Sequence, residues 1–188
     1  MADSANVFIA APPQAAGTFY HADLGTTAPT DASTAPDNAF ADLGYVGEEG
    51  YTNARTRDTT DLKAFGGDTV GTTQNSYDET VAVTLIEDSN PEVAKVINGA
   101  ANVDTATAGV TAILHNKLRL PRECFLVDTI ADGNRLKRLF IPEGQVVTVD
   151  DVVIVHTDMV KYRATIKCYP DASGNNVYEW NEDADETS

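Results

Sequence analysis

AFADLGYVGEEGYTNARTRDTTDLKAFGGDTVGTTQNSYDETVAVTLIEDSNPEV, residues 39–93, changes character midway. Its first half is rich in glycine, threonine and charge and can bury little apolar surface. The second half contains ETVAVTLIE (residues 79–87), where Val81, Val83 and Leu85 share one face at period two, as in a half-buried strand. SNPEVAKVING then reads as a short helix. Ser89 or Asn90 caps it, Pro91 suits its first turn, Glu92 favours the positive end of the dipole and Gly99 closes it. Val93, Val96 and Ile97 form its apolar stripe, and so short a helix persists only by packing that stripe on a sheet. Upstream, residues 44–48 and 51–55 are read as arms of a short hairpin about Glu49-Gly50. Residues 58–65 are read as a turn or one helical turn ended by Gly66-Gly67, and 69–76 as a polar strand. A long polar excursion feeding a hairpin is costly to order unless something outside the subunit orders it. That points to contact between copies of the chain, not to chemistry in a pocket.

Working outward, short strands are expected at residues 7–10 and 17–21, with a loop over 26–38, where Pro29 and Pro36 remove donors. A strand is expected at 110–116. Residues 124–131 and 135–141 flank Asp132-Gly133-Asn134, a hairpin signal. Residues 145–149 and 152–155 read as two strand ends or one bulged strand. Residues 160–169 alternate, with Val160, Tyr162, Ala164, Ile166 and Cys168 inward and Lys161, Arg163, Thr165 and Lys167 outward. A turn at 171–174 leads to a last strand at 176–180. Many short strands and one modest helix argue for a mostly β protein, a β-sandwich or barrel with appended arms. The division expected is an N-terminal arm and loop (1–42), a β domain (43–182) with a long loop at about 40–67 and the helix at about 90–99, and an acidic tail (183–188).

The chain has 188 residues and a net charge of -16, with 13 basic residues against 29 acids. Gripping nucleic acid requires cationic counter-charge, so that class is excluded. Charge is also segregated. No base precedes Arg55, residues 170–188 hold acids alone, and Lys117, Arg119, Arg122, Arg135, Lys137 and Arg138 crowd the middle. Acidic ends and a basic middle suit head-to-tail association, with the basic run as partner for a neighbour's acidic arm. Two solvated acidic ends are the plainer alternative. The two cysteines, Cys124 and Cys168, read as buried free thiols. Neither a secretion signal nor a membrane span is expected.

Catalytic chemistry finds no foothold. There is no phosphate loop, GxGxxG, HExxH, GxSxG or zinc-spaced Cys/His cluster, and His21, His115 and His156 lie far apart. Glu48-Glu49 and Asp150-Asp151 are sequence neighbours, which point to opposite faces of a strand and make no acid/base pair. No calcium-loop spacing occurs. The reading is therefore no enzyme, no cofactor and no metal.

Three stretches carry a family resemblance: Leu43-Gly44-Tyr45-Val46, residues 61–68 (DLKAFGGD), and the strand ending before Asn90-Pro91-Glu92-Val93. The turn at 169–175 before the acidic tail is similar too. Together they resemble the major tail (tail tube) proteins of long-tailed, non-contractile phages of actinobacteria. The match covers most of 43–103 and, more weakly, 120–182. The resemblance implies a β-sandwich or barrel with one flanking helix, forming hexameric rings that stack around a lumen. A long inter-ring loop would reach the next ring, with Tyr45, Leu62 and Phe65 as its apolar anchors. Val93, Val96 and Ile97 would dock the helix on the barrel. Implied partners are the chain itself, a tape-measure protein, a tail terminator and distal tail proteins. Double-stranded DNA would pass through without specific binding. The implied location is the virion tail, with assembly in the host cytoplasm and no membrane. The alternatives are a head decoration or head–tail connector protein, and a stand-alone β-sandwich binding module.

Overall fold

A computed structural model of the protein describes residues 7–13, 17–131 and 134–183. It is an antiparallel sandwich of ten strands and one helix: β1 (Phe19–Asp23), β2 (Ala41–Asp42), β3 (Val46–Lys63), β4 (Thr69–Leu85), α1 (Pro91–Asn98), β5 (Val103–Asp104), β6 (Ala112–Ile113), β7 (Glu123–Ala131), β8 (Arg135–Val149), β9 (Tyr162–Tyr169) and β10 (Tyr178–Asp183). The long β8 runs through both layers into which one eight-stranded sheet folds. Its first half pairs with β7 on one side and β10 on the other, while its second half pairs with β9, followed by β4 and β3. The turn between them is made at Gly144, where a Cβ would stand 2.5 Å from the Phe125 ring. Only glycine lets the strand cross so close to the core.

Between the layers lie Phe19, Phe125, Val127, Leu139 and Ile141 from one side and Val81, Val83, Leu85, Val146, Ala164, Ile166 and Cys168 from the other. The inward set of β9 is the alternating one, with Ala164, Ile166 and Cys168 buried. The strand begins at Tyr162, later than the alternation suggested. α1 starts at Asn90, whose side chain accepts from the Glu92 N–H at 3.0 Å, and closes where the Gly99 N–H (φ 86°) meets the Lys95 carbonyl at 2.7 Å. Val93 and Val96 enter the main core and Ile97 packs against it.

A second, smaller core lies on the outer face of β7, where Ala22, Phe40, Cys124, Leu126 and Phe140 meet Tyr20, Tyr178 and Trp180. Burial on both faces explains the unbroken apolar run of β7. The cover on that face is the proline-rich segment before β2. β1 and β2, which lie inside the stretch set apart as an arm, join the sheet through β7.

Several expectations are corrected. Within the stretch read as a loop over about 40–67, Val46–Lys63 is instead β3, a single strand of 18 residues. Glu49-Gly50 is no hairpin turn. Val46 faces Leu85 and Tyr51 faces Val83, so residues 47–50 bulge opposite Thr84 alone, with Gly50 at φ 65°. Residues 58–63 are strand, not helical turn, because cross-strand polar partners satisfy them. Residues 7–10 form no strand, although Ala11 makes an isolated bridge to Ile130. The strand expected at 110–116 shrinks to Ala112–Ile113. Residues 152–155 are an exposed connection between β8 and β9. The tip Asp132-Gly133 and the tail from 184 onward lie outside the described residues.

Candidate assembly surfaces

β4 leaves the body at Glu79. From Glu79 to Leu85 it pairs with β9, whereas from Thr69 to Asp78 its only partner is β3. At about 3.4 Å per residue the two strands project as a bare ribbon of roughly 30 Å. Polar contacts tie its two strands together. Thr72 donates to Asp61 at 3.0 Å, Asn75 to Asp58 at 3.0 Å and to Thr60 at 2.7 Å, and Arg57 lies over the Tyr77 ring at 4.7 Å. No apolar core underlies it, and an isolated two-stranded hairpin is at best marginally stable in water. Among the described residues neither edge of the ribbon has a strand partner, which in a monomer is an aggregation hazard.

The ribbon's root is the buried carboxylate of Glu79, 4% exposed. It accepts from Arg55 Nε at 3.1 Å and from the Tyr77 hydroxyl at 2.7 Å. That hydrogen bond, aided by burial and the carboxylate charge, pushes the Tyr77 phenol up from its ordinary value. Sequence reasoning passed over Glu79. The available signal was its place in the inward register of Val81 and Val83, a position where a charge needs partners.

Leu62 and Phe65 stand together at the ribbon tip, with Phe65 fully exposed. Tyr45, grouped with them in sequence, is elsewhere. It precedes Val46, the partner of Leu85, and so lies at the opposite end of β4. Its ring is exposed, and its backbone N–H donates to Glu87 at 2.9 Å.

The six bases do not form one patch. Arg138 is buried, bonded to both oxygens of Asp128 at 2.7 and 2.8 Å and to the carbonyls of Asp31 and Thr34 at 3.0 and 2.7 Å. It pins the 24–40 segment over the second core and is not available to a neighbour. Lys137 pairs with Glu179 at 2.8 Å, and that hydrogen bond holds the Glu179 carboxyl below its usual range. Arg135 donates to the Val7 carbonyl at 2.6 Å and its guanidinium lies near the Phe8 ring. Arg122 pairs with Glu143 at 2.7 Å over the Tyr169 ring, and Arg119 grips Gln145. Lys117 alone of the six makes no such contact among the described residues. High sequence density of charge became intramolecular cement.

His21 ties α1 to the sheet. Its Nδ1 lies 3.0 Å from Glu123 and its Nε2 3.2 Å from Glu92. Burial alone would raise the Glu92 carboxyl, but Lys95 and His21 outweigh it and the net shift is downward. Two clefts of about 410 Å³ flank the 24–38 segment. The larger polar groups of the second, Asp171 and Tyr178, are already bonded to each other at 2.6 Å. Among the described residues no group of three His, Cys, Asp or Glu side chains could hold a metal ion, and no helix is long and apolar enough to cross a membrane.

A projecting two-stranded ribbon with a fully exposed aromatic at its tip, on a mostly β body with one α-helix, defines the class of subunit. The chain belongs to the phage tail tube protein family, whose model matches residues 1–188. It is a structural component of a phage tail. A search of curated proteins matches none. Among solved structures it is similar to the tube-terminating cap of the anti-feeding prophage, determined by cryo-EM. The TM-score is 0.48 at 9% identity, over 97% of this chain and 100% of that one.

Proposed function

We propose that the protein is the repeating subunit of the tail tube, closing into hexameric rings that stack into a conduit for double-stranded DNA. The single observation that carries this reading is the ribbon, about 30 Å of ordered backbone with no core of its own. Ring closure pairs strand edges that the lone subunit leaves bare. Stacking gives the ribbon tip a surface to cover, with Leu62 and Phe65 as its apolar anchors. Six copies of a -16 chain carry about -96 per ring, so a lumen lined by part of that charge repels phosphates and lets DNA slide. The same repulsion makes assembly salt-sensitive. The resemblance adds a flexible, non-contractile tail of an actinobacterial phage, assembled in the host cytoplasm. Growth would be measured by a tape-measure protein and bounded by a tail terminator and distal tail proteins.

The test is negative-stain microscopy of concentrated protein beside a ribbon-less variant. Thr56 and Asp78 face each other, so replacing residues 57–77 with Asn-Gly closes the strands by a two-residue turn. The unaltered chain should form rings or tubes. The variant should keep its circular dichroism and melt cooperatively, yet not stack. Normal tubes from the variant would sink the role given to the ribbon.

A further inference from the structure

At the end of β4 opposite the ribbon tip lies a second apolar surface. Ala164 pairs with Val83 and Tyr162 with Leu85, so residues 150–161, which join β8 to β9, sit at that end. There Val153, Ile154, Val155 and Met159 are exposed, Ile154 by 81%, and Tyr45 is exposed at the same end by 77%. A Val-Val-Ile-Val run held in water is costly, at about 25 cal/mol for each Å² left uncovered.

We propose that this surface is the receptor for the ribbon tip of a second copy of the chain. The proposal rests on the tail-tube reading and names the partner surface within it. Tip and receptor terminate the same strand, so displacing one copy along β4 brings the tip of one to the receptor of the next. A contact between unlike surfaces that does not close on itself propagates as a stack. Charge fits at the edge of the contact. Lys63 of the tip and Asp151 of the receptor have no ion-pair partner among the described residues of their own subunit. Asp68 of the tip can meet Arg163, which is exposed and holds Asp150 only at 3.7 Å.

Cross-linking between two single variants tests it. Phe65→Cys and Ile154→Cys chains are assembled together and oxidised mildly. Cys124 and Cys168 stay out of the reaction: both are buried, and burial, helped by the Glu79 charge, pushes the Cys168 thiol up to about 12. Mixed tubes should give covalent dimers that tubes of either variant alone do not. In parallel, Ile154→Asp should raise the concentration needed for assembly at least tenfold, while Ile154→Val leaves it nearly unchanged and neither alters the monomer's circular dichroism. Tubes without dimers, or dimers formed instead with Leu118→Cys in another exposed apolar loop, overturn the receptor and leave the tube reading intact. An unaltered chain that stays monomeric at every concentration overturns both. Should the cysteine variants fail to assemble, the Ile154→Asp and Ile154→Val comparison decides alone.

Discussion

The same two strands, β3 and β4, run from the body into the ribbon, yet the two regions are held by different forces. Beyond Glu79, β4 reads TVAVTL, pairs with β9 and buries Val81, Val83 and Leu85 completely. Before it, β4 reads TVGTTQNSYD, pairs with β3 alone and buries nothing. Both halves make the ladder with β3. What differs is apolar area removed from water, the dominant favourable term in folding. A ladder without a core meets its hydrogen bonds but gains little net stability. The body's stability therefore rests on its core, and the ribbon adds little to it.

That contrast can be attacked from either side. The largest effect is expected in the body. Phe125→Ala removes a ring packed against Phe19 at 6.2 Å and beside Gly144, and should cost about 3–5 kcal/mol. For a domain this size that is roughly a 10 °C fall in the melting temperature of the unassembled chain. Arg138→Ala comes next. It strands the Asp128 carboxylate and two loop carbonyls, for a loss of about 3 kcal/mol. Limited proteolysis should then cut the 24–40 segment first. If Arg138→Ala instead left stability intact and abolished tubes, the residue would belong to an interface after all.

Glu79→Ala probes the border between the regions. Losing the acceptor for Arg55 and Tyr77 should cost about 1–3 kcal/mol and speed hydrogen exchange in the ribbon more than in the body. Acid should act on the same side of the border. Glu92 and Glu179 have folded values held below their unfolded ones, so their stabilisation is present above the unfolded carboxylate range. It is lost as pH falls through the folded values. Chemical denaturation of unassembled chain between about pH 6 and pH 3 should show stability declining with acid, and Glu179→Gln should flatten part of that slope. The smallest effect belongs to the ribbon. Thr72→Ala breaks an exposed bond to Asp61 and should shift the monomer's stability by under about 0.5 kcal/mol. A larger shift would mean that the ribbon contributes to the body's fold, and the contrast would fail.

What could be read from residues alone follows the range of each interaction. The cap at Asn90 and Gly99, the alternation read over residues 160–169 and realised from Tyr162, and the pairing of β7 with β8 are local, and spacing of a few residues reveals them. Tyr45 was grouped with Leu62 and Phe65 because proximity in sequence resembles proximity in space. A strand of 18 residues carries its two ends far apart. The bases of residues 117–138 looked like a surface because their partners, Asp31, Asp128, Glu143 and Glu179, are mostly distant in the chain.

The sequence by itself determined a mostly β subunit, its one helix, its free thiols and its acid excess, since periodicity, capping and composition need no long-range information. Only the tertiary structure decided that the polar stretch is a ribbon, that Arg138 is buried and that the Val-Val-Ile-Val run is bare. Each of these depends on which strand edge or side chain arrives from elsewhere in the chain. Pairing of that kind is fixed by the whole packed arrangement, not by a residue's neighbours.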